Sequence, residues 1–165
     1  MPDIIINNLH PSVLSESTIG VDSFKNRKQH FVTNLRHGAL EDQKNGVGVT
    51  YVWNAGDTIV GYASISMFSI KTDSVPGGVP GVRFKDLPAV LLGQLATHED
   101  YEGMGMASRI ILWLVGFSRS LSRQIGCRGI ALHSDADVIP FYEKNNFIHL
   151  VNSKRNAMFL DTGMV

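Results

Sequence analysis

The sequence has one cysteine among its 165 residues, no net charge, and no apolar stretch long enough to span a bilayer. Each shortage excludes something. Cys127 has no partner for a disulfide within the chain, and a zinc cluster would lack its usual thiolates, so no metal is expected. Cys127 reads instead as a small buried apolar residue. Fifteen basic residues balance fifteen acidic ones. Bulk attraction to nucleic acid is therefore absent, and only a local basic patch would supply it. Met1-Pro2-Asp3 lacks the basic stretch and apolar run of a signal peptide. The longest apolar run, 110–117, is far short of the roughly 20 residues a spanning helix needs. The expectation is a soluble, cytoplasmic protein with no membrane partner.

What is present is a globular composition, 44% hydrophobic and 18% charged, at a length that suits one compact domain. Ile4-Ile5-Ile6 reads as a first strand, and 7–18 as polar connection. From Asp22 to Lys44 apolar residues recur at helical spacing, with a break giving two helices; Gly46 ends the stretch. Residues 47–53 and 58–70 read as strands joined by the turn Asn54-Ala55-Gly56-Asp57. The run Pro76-Gly77-Gly78-Val79-Pro80-Gly81 marks a mobile loop. Residues 89–96 form an apolar strand expected to be buried on both faces. A long amphipathic helix covers 107–124, a strand 129–133, a short helix capped by Asp137 carries Phe141 and Tyr142, and 156–160 closes as a strand. The order specifies an α/β fold.

Two places carry chemistry. The first is Glu102-Gly103-Met104-Gly105-Met106-Ala107, between a buried strand and the long helix. Residues without bulk let backbone approach a ligand closely. The first amides of a helix have no partners within it, and the helix dipole adds positive potential there. Together they suit a pyrophosphate. Taken alone, the same glycines also fit a plain turn. Two rival glycine motifs are absent: no Gly-Lys-Ser/Thr triplet occurs, and the third position of a dinucleotide fingerprint is Ala107, late in the chain. The second place is Pro140-Phe141-Tyr142-Glu143-Lys144-Asn145-Asn146-Phe147, after the strand 129–133. A tyrosine there can direct its hydroxyl into the crevice beyond the strand ends and give a proton to a leaving thiolate. A core tyrosine with a satisfied hydroxyl is the alternative reading.

Leu91-Leu92-Gly93-Gln94-Leu95-Ala96, the glycine turn and the segment from Phe141 to Phe147 together resemble the GNAT N-acetyltransferase superfamily. Its loop reads Gln/Arg-Gly-x-Gly-x-Gly/Ala and its later motif Leu/Phe-Tyr-Glu-Lys-x-Gly-Phe, at this separation. The resemblance covers nearly the whole chain. Residues 24–45, Thr50-Tyr51-Val52, 60–66 and Ala157-Met158-Phe159-Leu160 are similar to the GNAT toxins of toxin–antitoxin pairs, which acetylate the amino group of aminoacyl-tRNA.

The resemblance implies one GNAT domain over 1–165, with a mixed central β-sheet flanked by helices and acetyl-CoA as co-substrate. It implies that Leu95, Ala96 and Thr97 offer backbone hydrogen bonds to the acetyl and pantetheine portion. Glu102, Gly103, Met104, Gly105, Met106, Ala107 and Ser108 would surround the pyrophosphate. Asp135 matches a position near the pantetheine, and Tyr142 the tyrosine near the thioester sulfur. The amine attacks the acetyl carbonyl, and coenzyme A leaves as a thiol with a proton from Tyr142. His98, Glu99 and His133 are candidates for a base, although an α-amine titrating near pH 8 is partly neutral already. Three positions depart from the family pattern. Glu102 stands where Gln or Arg is usual, Gln94 where the toxins more often have Arg, and Asn146 where a glycine precedes the final Phe, a change a left-handed backbone tolerates.

The acceptor stays open among aminoacyl-tRNA, a small amine and a protein N-terminus, and a non-catalytic CoA-sensing module is a further alternative. An antitoxin partner goes with the toxin reading. Trp113 on the long helix fits core packing or a homodimer surface. Arg119, Arg123 and Arg128, with Lys25, Arg27, Lys28 and Arg36, suggest a basic strip suited to RNA phosphates; a solvated polar face fits equally.

Overall fold

The computed structural model describes residues 5–163. Seven strands form one sheet, in the order β1-β2-β3-β4-β5-β7-β6: β1 (Pro11–Val13), β2 (Val49–Ala55), β3 (Thr58–Lys71), β4 (Asp86–Thr97), β5 (Gly129–His133), β6 (Ile148–His149) and β7 (Ala157–Asp161). β4 and β5 run parallel, and the helix α3 (Met106–Ser122) makes the crossover that a parallel pair requires. The pairs β1/β2, β2/β3, β5/β7 and β6/β7 are antiparallel. This is the expected mixed sheet with helices. No helix among the described residues is long and apolar enough to cross a membrane.

The chain forms two compact units, Met1–Ser66 with Gly93–Ile110 and Met67–Leu92 with Ile111–Val165. In the first, Val32, Leu35 and Ala39 pack with Phe24, Val52 and Tyr62. In the second, Val75, Val79, Leu87 and Ala89 pack with Ala131 and Phe159. Within the glycine–proline loop that composition marks as mobile, Val79 is buried while Pro76, Gly77, Gly78, Pro80 and Gly81 are exposed.

Several expectations change. Ile4 lies outside the described residues, and Ile6–Asn8 is a 3-10 turn in place of a strand. The first strand is Pro11–Val13 in the stretch read as connection; it pairs along the β2 edge, where Pro11 is tolerated. The helical region starts at Gln29, not Asp22. Phe24 is fully buried beside Tyr62, with ring centroids 5.4 Å apart. The side chain of Asn26 bonds both ways, donating to the Thr97 carbonyl at 2.8 Å and accepting from the Lys28 amide at 2.9 Å. That tertiary anchoring overrides the helical spacing over 22–28. The break between helices is a π-turn, Asn34–Gly38, joining α1 (Gln29–Thr33) to α2 (Ala39–Lys44). Its wider winding keeps Val32, Leu35 and Ala39 on one buried side.

Burial on both faces holds for Ala89 and Val90 only; Gly93 is exposed. Asp137 lies within a 3-10 turn, Ala136–Val138, that leads into α4 (Ile139–Lys144), so it is not the cap of that helix. The two-residue strand β6 is too short and too exposed to show in the sequence pattern.

Candidate functional site

The glycine turn is held from behind. His98 donates its amide to the Val60 carbonyl, and Glu99 donates to the carbonyl of Lys25, both at 2.9 Å. The His98 ring is buried, with Phe24 and Tyr101 edge-on at 5.7 and 5.4 Å. Its Nδ1 accepts the Asp100 amide at 3.1 Å. His98 therefore fixes the 3-10 turn Glu99–Tyr101 that delivers the chain to the loop. With one ring lone pair already used, it serves as a structural residue before it serves as a base.

At the loop, Gly103 and Gly105 have φ of +77° and +84°. An L-residue there is strained by about 1–2 kcal/mol. A Cβ built at either glycine meets nothing within 4 Å, so the space in front of both is open. Met104 points outward, and Met106 is buried. Gly61 of β3 explains how Met106 is seated. A Cβ on Gly61 would lie 3.0 Å from Met106 Cγ and 3.1 Å from the Ile110 side chain. The bare backbone at Gly61 thus lets the first turn of α3 lie against the strand. The Arg109 amide donates to the Gly105 carbonyl at 3.0 Å, so the helix begins immediately at the loop. Open glycines, exposed backbone and a 17-residue helix starting there provide what a pyrophosphate needs. Ala107 is half-buried and Ser108 exposed on that first turn. Upstream, Ala96 is buried, while Leu95 and Thr97 are half-buried.

Glu102 at the head of the loop is paired: Arg27 Nη2 lies 2.8 Å from its Oε2. The sequence offers no sign of this contact between residues 75 positions apart.

In the second unit, Tyr142 is buried on α4, with the Phe141 and Phe147 rings edge-on at 5.1 and 5.5 Å. Burial, followed by the nearby Asp135 carboxylate, pushes its phenol up to about 12. The hydroxyl thus stays protonated at any physiological pH. The helix ends on Asn146 at φ +70°, with Phe147 donating to the Tyr142 carbonyl at 3.0 Å. Asparagine does here what glycine does in the family motif. Asp135 is exposed just before the turn that leads into α4. His133 is exposed at the end of β5, edge-on to Phe68 at 5.9 Å. Partial burial, then the charge of Lys154, lowers its affinity for a proton. Of the three base candidates, His133 is therefore the one whose surroundings favour the neutral ring; Glu99 is simply exposed.

Much of the basic residue set is engaged within the fold. Arg128 forms a two-bond fork with Asp161, at 2.7 and 2.9 Å. Arg119 donates to the Thr162 carbonyl, Arg36 to that of Asp22, and Arg27 pairs with Glu102. Among the described residues no group of three His, Cys, Asp or Glu side chains could hold a metal ion.

The comparisons with known proteins point the same way. The chain is similar over 94% of its length to AtaT complexed with acetyl-methionyl-tRNAfMet, at 19% identity and a TM-score of 0.85, covering 96% of that chain. A tyrosine-to-phenylalanine variant of KacT matches with 18% identity and a TM-score of 0.85, with 94% of this chain and 95% of that one covered. A tyrosine-to-phenylalanine variant of the AtaT toxin, bound to the C-terminus of the antitoxin AtaR and acetyl-CoA, matches at 19% identity with a TM-score of 0.78, over 94% of each chain. At these identities the likeness is one of fold. The model of the acetyltransferase (GNAT) family matches residues 18–147, which include the glycine loop, Tyr142 and Phe147. The chain therefore belongs to the acetyltransferase (GNAT) family, as an enzyme that takes its acetyl group from acetyl-CoA.

Proposed function

We propose that this enzyme is a toxin-like N-acetyltransferase that acetylates the α-amino group of an aminoacyl-tRNA, acting in the cytoplasm as a single catalytic domain and restrained by an antitoxin protein. The observation that carries the donor half is the loop Glu102–Gly105, with its two open positive-φ glycines directly ahead of α3. The acceptor half rests on the full-length likeness to AtaT in its acetyl-methionyl-tRNA complex.

In this reading, amides of the Gly103–Ser108 segment hold the pyrophosphate, and backbone groups of Leu95, Ala96 and Thr97 align the acetyl and pantetheine portion. Asp135 lies near the pantetheine. The amine nitrogen attacks the acetyl carbonyl carbon, the C–S bond breaks, and the proton given up by the amine ends on the thiol of coenzyme A. Tyr142 assists at the sulfur. A phenol pushed up to about 12 lies well above an ordinary thiol near 8.5, so it donates a hydrogen bond to the developing thiolate without ionising. An α-amine near pH 8 is partly neutral at physiological pH and requires no dedicated base.

The test is incubation with labelled acetyl-CoA and separate pools of charged tRNA, peptides and polyamines. Label on the aminoacyl group of charged tRNA is the expected result. Label confined to peptides or polyamines refutes the acceptor, and the absence of label in every pool refutes the activity.

A further inference from the structure

The pair Arg27–Glu102 answers a difficulty that the loop itself creates. A carboxylate at the head of an anion site repels what the site is built to hold. Two like charges about 8 Å apart in watery surroundings weaken binding about 2.4-fold, so the two charges of a pyrophosphate give about fivefold or more. Yet Glu102 sits there, and its Oε2 is met at 2.8 Å by Arg27.

Arg27 does not reach Glu102 from a free tail. Its neighbours are stitched to the strand that leads into the loop. Asn26 donates to the Thr97 carbonyl, the Lys28 amide closes back on Asn26, and the Glu99 amide donates to Lys25. Phe24 anchors the same segment in the core against Tyr62 and the buried His98 ring. These contacts interrupt the helical pattern of 22–28 and fix the backbone on both sides of Arg27. The side chains of the pair remain exposed, at 79% for Arg27 and 39% for Glu102. A pair so exposed contributes little to stability. Its effect falls on the charge in front of the loop.

We infer that Arg27 is a positioning residue of the donor loop, neutralising Glu102 and drawing its carboxylate aside so that the loop accepts the pyrophosphate of acetyl-CoA. The inference rests on the donor reading above. It sets a cation from a distant segment of the same chain against the carboxylate that stands where Gln or Arg is usual.

Titration calorimetry with acetyl-CoA at about 10 mM ionic strength, where screening extends to about 30 Å, tests it. Arg27→Ala is expected to weaken binding about fivefold or more with its melting temperature unchanged. Arg27→Lys keeps most of the affinity. Glu102→Gln in the Arg27→Ala background restores binding. Glu102→Gln alone tightens it, since Arg27 is then free to face the phosphates. The Arg27→Ala defect shrinks at 0.5 M salt. Native affinity in Arg27→Ala, or a defect that Glu102→Gln fails to rescue, overturns the inference. Failure of the native protein to bind acetyl-CoA would instead overturn the donor reading itself.

Discussion

Replacing Gly105 separates two properties that the loop combines, its backbone conformation and its open front. At φ +84° an alanine costs about 1–2 kcal/mol. For a chain of this size that lowers the melting temperature by about 2–8 °C. The cost is all conformational, because a Cβ there meets nothing within 4 Å. Asparagine removes most of the strain: this chain already holds Asn146, Asn152 and Asn156 at φ +70°, +51° and +60°. Both variants nevertheless put a Cβ where a pyrophosphate would approach. Losing one charge-assisted amide contact costs about 1.5–3 kcal/mol, or about 10- to 150-fold in affinity. Gly105→Asn is therefore expected to melt close to the native protein while binding acetyl-CoA at least tenfold more weakly. Gly105→Ala should show both losses. Thermal melting and calorimetry on the three proteins decide the matter. Native acetyl-CoA affinity in Gly105→Asn would show that the ligand does not approach the loop backbone, and the donor reading would fail.

Tyr142→Phe removes one hydrogen bond to the developing thiolate and should lower kcat about 10- to 150-fold while leaving the acetyl-CoA Kd within about twofold. Because burial holds the phenol protonated up to about pH 12, the native rate should show no Tyr142-dependent decline up to pH 10; a decline there that the Phe variant lacks would refute the assignment. Gly61→Ala overpacks the seat of Met106, costing about 1–3 kcal/mol in denaturant unfolding. It should also weaken acetyl-CoA binding by shifting the start of α3, and native stability would show that the seat is slack. Burial raises the Asp161 carboxyl, but the Arg128 hydrogen bond, the Gly163 amide and the Arg128 charge outweigh it, so the carboxyl lies below its ordinary value. A lowered acid contributes stability that is full above its unfolded value of about 3.9 and is lost as pH falls through the folded one. Asp161→Asn should cost about 1–3 kcal/mol at pH 7 and flatten the acid limb of the stability curve; an unchanged limb would refute the role.

What the sequence displays depends on how locally each feature is encoded. The glycine loop is contiguous, its glycines mark left-handed backbone, and the helix behind it is amphipathic, so strand, turn and helix are all legible from 89 to 122. The Asn146 turn is legible for the same reason, since Asn is the side chain that best tolerates that backbone. Residues 22–28 fail because their conformation is set by Thr97 and Tyr62, far along the chain. Pro11–Val13 fails because a three-residue edge strand has too little alternation to stand out and is defined by its partner β2. His98 appears as a possible base in the sequence, and only its buried ring and the Asp100 amide reveal a structural role.

Charge is where sequence counting misleads most. Seven basic residues that compose a strip on paper are not seven free cations. Arg128 is paired with Asp161 and Arg27 with Glu102, while Arg119 and Arg36 keep their charge but are turned onto the carbonyls of Thr162 and Asp22. A chain with no net charge offers an RNA acceptor no large excess of cations. Recognition of a reactive end demands less phosphate neutralisation than wrapping a helix does, because affinity from phosphates scales with the number neutralised. A neutral chain is therefore compatible with an aminoacyl-tRNA acceptor when the enzyme reads the aminoacyl end and leaves most of the tRNA backbone untouched. On the inference drawn above, one arginine, Arg27, likewise offsets the Glu102 carboxylate at the head of the loop.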